Sequence, residues 1–128
     1  MTNNSLERET SRLRQSLSRL RDQIPAVVQV LLGREPLVRG SVYELRRKCG
    51  KPCCACAAGE KLHSCMAITW TVEGKKRLRS LSPKEEMVLR RLTENYRRFR
   101  QARAQLVELH AEILDVIDQL EAVRCREP

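Results

Sequence analysis

The residues with the most chemistry in them crowd into one short stretch. Residues 49–65 read CGKPCCACAAGEKLHSC and hold five of the chain's six cysteines and one of its two histidines. Thiolates and imidazoles are the ligands of structural zinc, which takes four of them in a closed tetrahedron. The spacing C-x4-C-x-C-x6-H selects Cys49, Cys54, Cys56 and His63, with Cys53 and Cys65 as spare ligands. Gly50, Pro52, Ala55 and Gly59 are small or turn-forming residues that let a backbone wrap closely around an ion. The expected cofactor is a structural Zn2+.

Other cysteine chemistries fit less well. Disulfides need an oxidising compartment, and the opening MTNNSLERETSRLRQSL has no apolar signal-peptide core. Free cysteines packed as small hydrophobes suit a stretch rich in Gly and Lys poorly. A redox or iron–sulfur role stays open beside zinc. Catalytic zinc keeps one coordination position open beside a carboxylate base, and only Glu60 is local. There is no Gly-rich phosphate loop, no HExxH and no Ser–His–Asp arrangement. His110 flanks a helical seam, and Cys125 is an isolated thiol. No catalytic residue is assigned, and the expectation is a protein that is not an enzyme.

Charge is the second signal. The chain carries a net +9. Residues 1–33 have five basic and three acidic side chains; residues 34–103 have eighteen and seven; residues 104–128 have two and six. The positive field therefore centres on the cysteine stretch, the KKRLRSL segment and the first half of the last helix, which is the footprint of a polyanion binder. The plainer alternative is a solvated basic face that serves solubility.

The elements that must position these groups are legible from periodicity. Leu6, Leu13, Leu17, Leu20, Ile24, Val27 and Leu31 alternate steps of four and three, with Thr10 in the one gap, as in a heptad seam. Pro25 predicts a kink or break, with a second short helix ending at Gly33. Ser41 and Glu44 resemble a capping box and predict a short helical turn over SVYELRRKCG. MAITWTV and KKRLRSL, joined at Glu73-Gly74-Lys75, predict a β-hairpin. A hairpin this small needs support, and Trp70 is its expected plug, ahead of a role in stacking on a base.

Ser82-Pro83-Lys84-Glu85 is a helix start, with serine at the cap and proline at the first position. Beyond it Val88, Leu92, Asn95, Phe99, Ala102, Leu106, Leu109, Ile113, Val116, Leu120 and Val123 form a four–three seam. Asn95 is its one polar position, where register or partner number is commonly set. The fold class is mainly α: an antiparallel long-helix, coiled-coil pair with an inserted zinc knuckle and small β-hairpin. Its parts are a helical arm over 1–33, the knuckle and hairpin over 34–82, and the long helix over 83–126. The arm is too short to cover the whole long helix. The acidic end of that helix, residues 106–123, is expected to seek a partner through self-association or another coiled coil.

Gly40-Ser41-x-Tyr43, Cys49-Gly50-Lys51-Pro52-x-Cys54-x-Cys56, Gly59, His63, Trp70, Gly74-Lys75, Pro83 and Asn95-Tyr96-Arg97 together resemble one uncharacterised family. Its members are small prokaryotic proteins with a cysteine–histidine knuckle, a hairpin and a basic helix, found near transposase or recombinase genes. The resemblance spans residues 40–100 and implies Cys49, Cys54, Cys56 and His63 as ligands. The chain departs from the pattern at Cys53 and at Ser64-Cys65-Met66.

The function expected is a nucleic-acid-binding accessory protein, on DNA ahead of RNA, working beside a recombinase or transposase. Arg46, Arg47, Lys48 and Lys51 would present charge from the knuckle, and Lys75, Lys76, Arg77 and Arg79 from the hairpin. Arg90, Arg91, Arg97 and Arg98, with Arg100 and Arg103, would extend the surface along the helix. Guanidinium forks bond phosphate oxygens in pairs, giving salt-dependent affinity with little sequence information. The alternative is a coiled-coil adaptor whose basic face meets an acidic protein. No run of about 18 apolar residues exists, so a cytoplasmic location with no membrane contact is expected.

Overall fold

The computed structural model describes residues 3–47 and 63–128. Two helices and three strands run in order: α1 (Asn3–Leu31), β1 (Ser41–Arg47), β2 (His63–Val72), β3 (Lys75–Leu81) and α2 (Pro83–Arg124). They divide into two units, one of Met1–Arg34 with Arg98–Pro128 and the other of Glu35–Arg97. The described chain is mainly helical, and none of its helices is long and apolar enough to cross a membrane.

The first unit is a helix pair built on the two seams. Leu13 packs with Val116 and Leu120, supported by Leu17, Leu20 and Val123. Val27 packs with Ala102 and Leu109, supported by Ile24, Leu31 and Leu106. Early residues of α1 thus meet late residues of α2, so the pair is antiparallel. Leu13 is 1% exposed, and its burial contributes about 2 kcal/mol. Thr10, the polar gap in the seam, donates its hydroxyl to the Leu6 carbonyl at 2.8 Å and so stays satisfied.

Two expectations fail here: the break at Pro25 and the uncovered acidic end of α2. α1 continues through Pro25 to Leu31 as one helix, with no second helix begun at the proline. Pro25 is exposed, so the carbonyl it leaves unbonded lies on the solvent side, while Ile24, Val27 and Leu31 hold the following turn against α2. The acidic end of α2 is not the stretch left over, because Val116, Leu120 and Val123 are what Leu13 and its neighbours cover. The residues of α2 outside the pair are its first turns, 83–97, which belong to the second unit.

The second unit holds an antiparallel sheet in the order β1-β2-β3. The hairpin is present, but it is part of three strands rather than two. Ser41–Arg47 is a strand and not the helical turn that Ser41 and Glu44 suggested. Seven consecutive pairs with β2, from Ser41 opposite Thr69 to Arg47 opposite His63, give the inward half of its backbone a ladder that outweighs one isolated helical turn, whose nucleation is costly. Glu44 accepts instead from the Ser64 hydroxyl and from Arg46. Gly40 permits the close entry into β1, since a Cβ there would stand 2.9 Å from the Thr69 carbonyl oxygen.

β2 and β3 are joined by Glu73 and Gly74, with φ of 50° and 79°. Two left-handed residues make the type I′ turn whose twist matches the flanking strands. Ala67 and Ile68, at the centre of β2, are the buried residues of the middle strand, and Leu81 closes β3. The start of α2 is capped as its sequence predicts. The Glu85 amide donates to Ser82 Oγ at 3.2 Å, and the Ser82 amide donates to Glu85 Oε1 at 3.3 Å.

The segment before β1 is fastened to α2 within this same unit. The Val38 amide donates to the Leu92 carbonyl at 3.1 Å. Asn95 Nδ2 donates to Glu35 at 2.7 Å, Arg91 stands 3.7 Å from the same carboxylate, and the Arg39 guanidinium lies 5.4 Å over the Tyr96 ring. Asn95 is therefore a tie to the 35–40 segment and not a polar position of a coiled-coil seam.

Candidate functional site

β3 carries its charge on an edge. Four of its seven residues, Lys75, Lys76, Arg77 and Arg79, are basic, none is acidic, and all four are exposed. Charge on an edge strand, lysine above all, also deters strand addition, and Lys75 and Lys76 serve that task as well. The turn fixes the register: Val72 faces Lys75, Thr71 faces Lys76, Trp70 faces Arg77 and Ile68 faces Arg79. Alternation then puts Lys75, Arg77 and Arg79 on the face of Trp70, and Lys76 on the opposite face.

The twelve basic candidates differ in how far their charge is already answered. Arg46 pairs with Glu44, Arg79 with Glu85, Arg90 with Glu86, Arg91 with Glu35 and Arg97 with Glu94. Among the described residues no carboxylate pairs with Arg47, Lys75, Lys76 or Arg77. Lys48 and Lys51 lie outside the described residues. Arg98, with Arg100 and Arg103, belongs to the helix-pair unit. The bases of residues 35–97 that are free to meet a new anion therefore concentrate, among the described residues, on β3 and at Arg47, the end of β1.

The paired carboxylates register these contacts. The Glu85 carboxyl is held below the usual carboxylate range, first by the Arg79 guanidinium and then by the amide and hydroxyl of Ser82. Glu44 is lowered by the Ser64 hydroxyl and next by Arg46. All of these ion pairs are exposed, so each is weak, and a phosphate could displace the carboxylate from its arginine.

Of the metal candidates, Cys49, Cys53, Cys54 and Cys56 lie outside the described residues. His63 opens β2 directly opposite Arg47, so the residues that flank segment 48–62 are register partners. Cys65 stands two residues further along β2 with its Sγ 3.9 Å from Ser80 Oγ. Among the described residues no three His, Cys, Asp or Glu side chains converge as a metal site would require.

The expected coiled-coil positions fall in both units. Leu106, Leu109, Ile113, Val116 and Leu120 lie buried or half-buried on the α2 face that packs on α1. Phe99 is half-buried in the helix-pair unit, and half-buried Leu92 belongs to the sheet unit, where its carbonyl receives Val38. Sequence reasoning misses Glu35 and Arg39, which fasten the 35–40 segment to α2, and buried Thr93, 2% exposed. No local motif marks them. The facing of Trp70 and Arg77 is missed as well, because the expected turn Glu73-Gly74-Lys75 is one residue longer than the Glu73-Gly74 turn observed, and one residue shifts the whole register.

A family model described as a domain of unknown function, DUF6788, matches residues 6–91, more than half of the chain. No curated protein and no solved structure matches.

Proposed function

Taking as premise that the chain belongs to the DUF6788 family, we propose that it is a zinc-stabilised, basic nucleic-acid-binding accessory protein. It would act on DNA ahead of RNA and assist a transposase or site-specific recombinase. The observation that carries this reading is the group of exposed cations Lys75, Lys76 and Arg77 on β3, with Arg47, for which no described carboxylate supplies a partner. Cations left without a counter-charge on an exposed edge suit the phosphates of a polyanion, and the affinity they give falls with salt. The partner class comes from the resemblance, whose members lie beside mobile-element genes.

Zinc belongs to the same proposal. Cys49, Cys54 and Cys56 with His63 would hold it, and the ion would supply a closed structural centre at the β1–β2 end of the sheet. His63 at the edge of the cysteine stretch favours this set, and the approach of the Cys65 thiol to Ser80 turns that residue towards β3. Sequencing the nucleic acid that co-purifies with tagged protein from its host, across a salt gradient, tests the reading. Nucleic acid released steeply as salt rises supports it, and a protein partner with no nucleic acid contradicts it.

A second reading, a coiled-coil adaptor, has an observation of its own. Val107, Leu114 and Ile117 form an apolar row on the outside of α2, exposed by 57%, 47% and 41%. A charge placed at Leu109 would strike the intrachain core and tell nothing about a partner. Leu114→Lys is the better probe: under the adaptor reading it lowers self-association in sedimentation without unfolding the pair.

A further inference from the structure

Trp70 is the chain's one tryptophan, and the sheet places it among cations. Arg77 stands directly opposite it across the strand pair; Lys75 opposite Val72 and Arg79 opposite Ile68 are its diagonal neighbours. Residues so related lie about 5 to 8 Å apart on one face. Trp70 is half-buried, and among the described residues it makes no hydrogen bond and no ring contact. The other described aromatic beside an arginine, Tyr96, already has Arg39 over its ring. A tryptophan serving only as a plug has its body covered and its N–H matched; this one keeps part of its surface open beside two cations without a described carboxylate partner.

We infer that this face of the β2–β3 hairpin, with Trp70 of β2 at its centre and Lys75, Arg77 and Arg79 of β3 around it, is a stacking site for a base of single-stranded nucleic acid. The inference rests on the nucleic-acid reading above and sharpens it. A π-face in a row of phosphate-seeking cations is the combination that single strands use: bases stack on the ring while the backbone follows the charge. A duplex offers phosphates to Lys75 and Arg77 but keeps its base faces covered by their neighbours. The i, i+2 spacing of Lys75, Arg77 and Arg79 along an extended strand, about 7 Å per step, lets one backbone run beside all three. The Arg79–Glu85 pair lies at the end of this row, where a phosphate would compete with an exposed carboxylate.

Because Trp70 is alone in the chain, its intrinsic fluorescence reports this site and nothing else. Full-length protein is titrated with a short oligothymidylate and, at the same salt, with a duplex of equal length. The expected result is quenching by the single strand and tighter binding of it than of the duplex. Trp70→Ala should lose on the order of ten- to a hundredfold in affinity for the oligothymidylate, the effect of removing one stacked base. Trp70→Phe should stay within a few-fold of the natural protein, so the comparison survives if the alanine variant fails to fold. Oligothymidylate that binds without quenching, equally well to all three proteins, overturns the stacking site and leaves the nucleic-acid reading standing. Absence of binding to either probe overturns both.

Discussion

The helix pair and the sheet unit handle charge in opposite ways. The pair, residues 1–34 with 98–128, carries eleven basic and nine acidic side chains, close to balance. Residues 35–97 carry fourteen and seven. The pair buries a continuous apolar seam, Leu13 and Val27 against Val116, Leu120, Ala102 and Leu109. The described part of the sheet unit buries little beyond Ala67, Ile68 and Leu81, and leaves β3 exposed along almost its whole length. A region that keeps uncompensated charge on a thin core gives up stability that the helix pair keeps. Under the proposed function, this difference would make the helix pair the scaffold and the sheet unit the interface.

Removing metal should separate the two most sharply. Small zinc domains draw on the order of 10 kcal/mol of folding free energy from their ion. Chelation, or Cys54→Ser, should shift Trp70 fluorescence to that of an unfolded chain while most of the helical dichroism persists, because no candidate ligand lies in the helix-pair core. Purified protein containing no zinc by mass spectrometry, with Trp70 indifferent to chelator, would undo that contrast.

Leu13→Ala strikes the other side of it. Losing a leucine that is 1% exposed should cost about 2–5 kcal/mol in denaturant unfolding followed by dichroism. The loss should fall on the helical signal, with Trp70 emission in the native protein unchanged. An effect below about 1 kcal/mol would mean that the pair is not the scaffold.

Ser82→Ala sharpens the comparison at the start of α2. It removes the acceptor for the Glu85 amide and should cost about 1 kcal/mol. Acid acts on the same corner more gently. Glu85 and Glu44 have folded-state affinities for protons below their ordinary ones. They therefore stabilise the unit above the usual glutamate value, about 4.3, and lose that contribution as pH falls through the lower folded-state value. Glu85→Gln should flatten this acid-side slope of unfolding; a slope identical to that of the natural protein would remove the Arg79–Glu85 pair as its source.

Sequence legibility divides along the same line. The seams within the helix pair, the Ser82–Glu85 cap and the hairpin turn are local patterns whose physics is complete within a few residues, although Lys75, expected in that turn, opens β3 instead. Each is present in the fold. β1 is illegible because Ser41 and Glu44 satisfy a local helix signature, whereas the pairing that wins is with β2, on the far side of the cysteine stretch. Which length of α2 the arm covers is equally hidden, because it depends on the first turns of α2 belonging to the sheet unit. Asn95 reads as a seam position by spacing alone; its partner Glu35 lies sixty residues away. Which arginines keep their charge free is illegible too, since Glu44, Glu86 and Glu94 answer theirs locally but Glu35 and Glu85 reach theirs through tertiary structure.

The most direct test is a pair of salt titrations of nucleic-acid binding, one for each unit. Lys75→Gln with Arg77→Gln removes two free cations from the Trp70 face of β3; Arg98→Gln with Arg100→Gln removes two from the helix pair. On a basic interface each lost phosphate contact lowers the slope of log affinity against log salt by about 0.7–0.9. The β3 variant should lose about 1.5 from the slope, and the helix-pair variant should match the natural protein. Equal slopes for the natural protein and the β3 variant would contradict the assignment of the interface to the sheet.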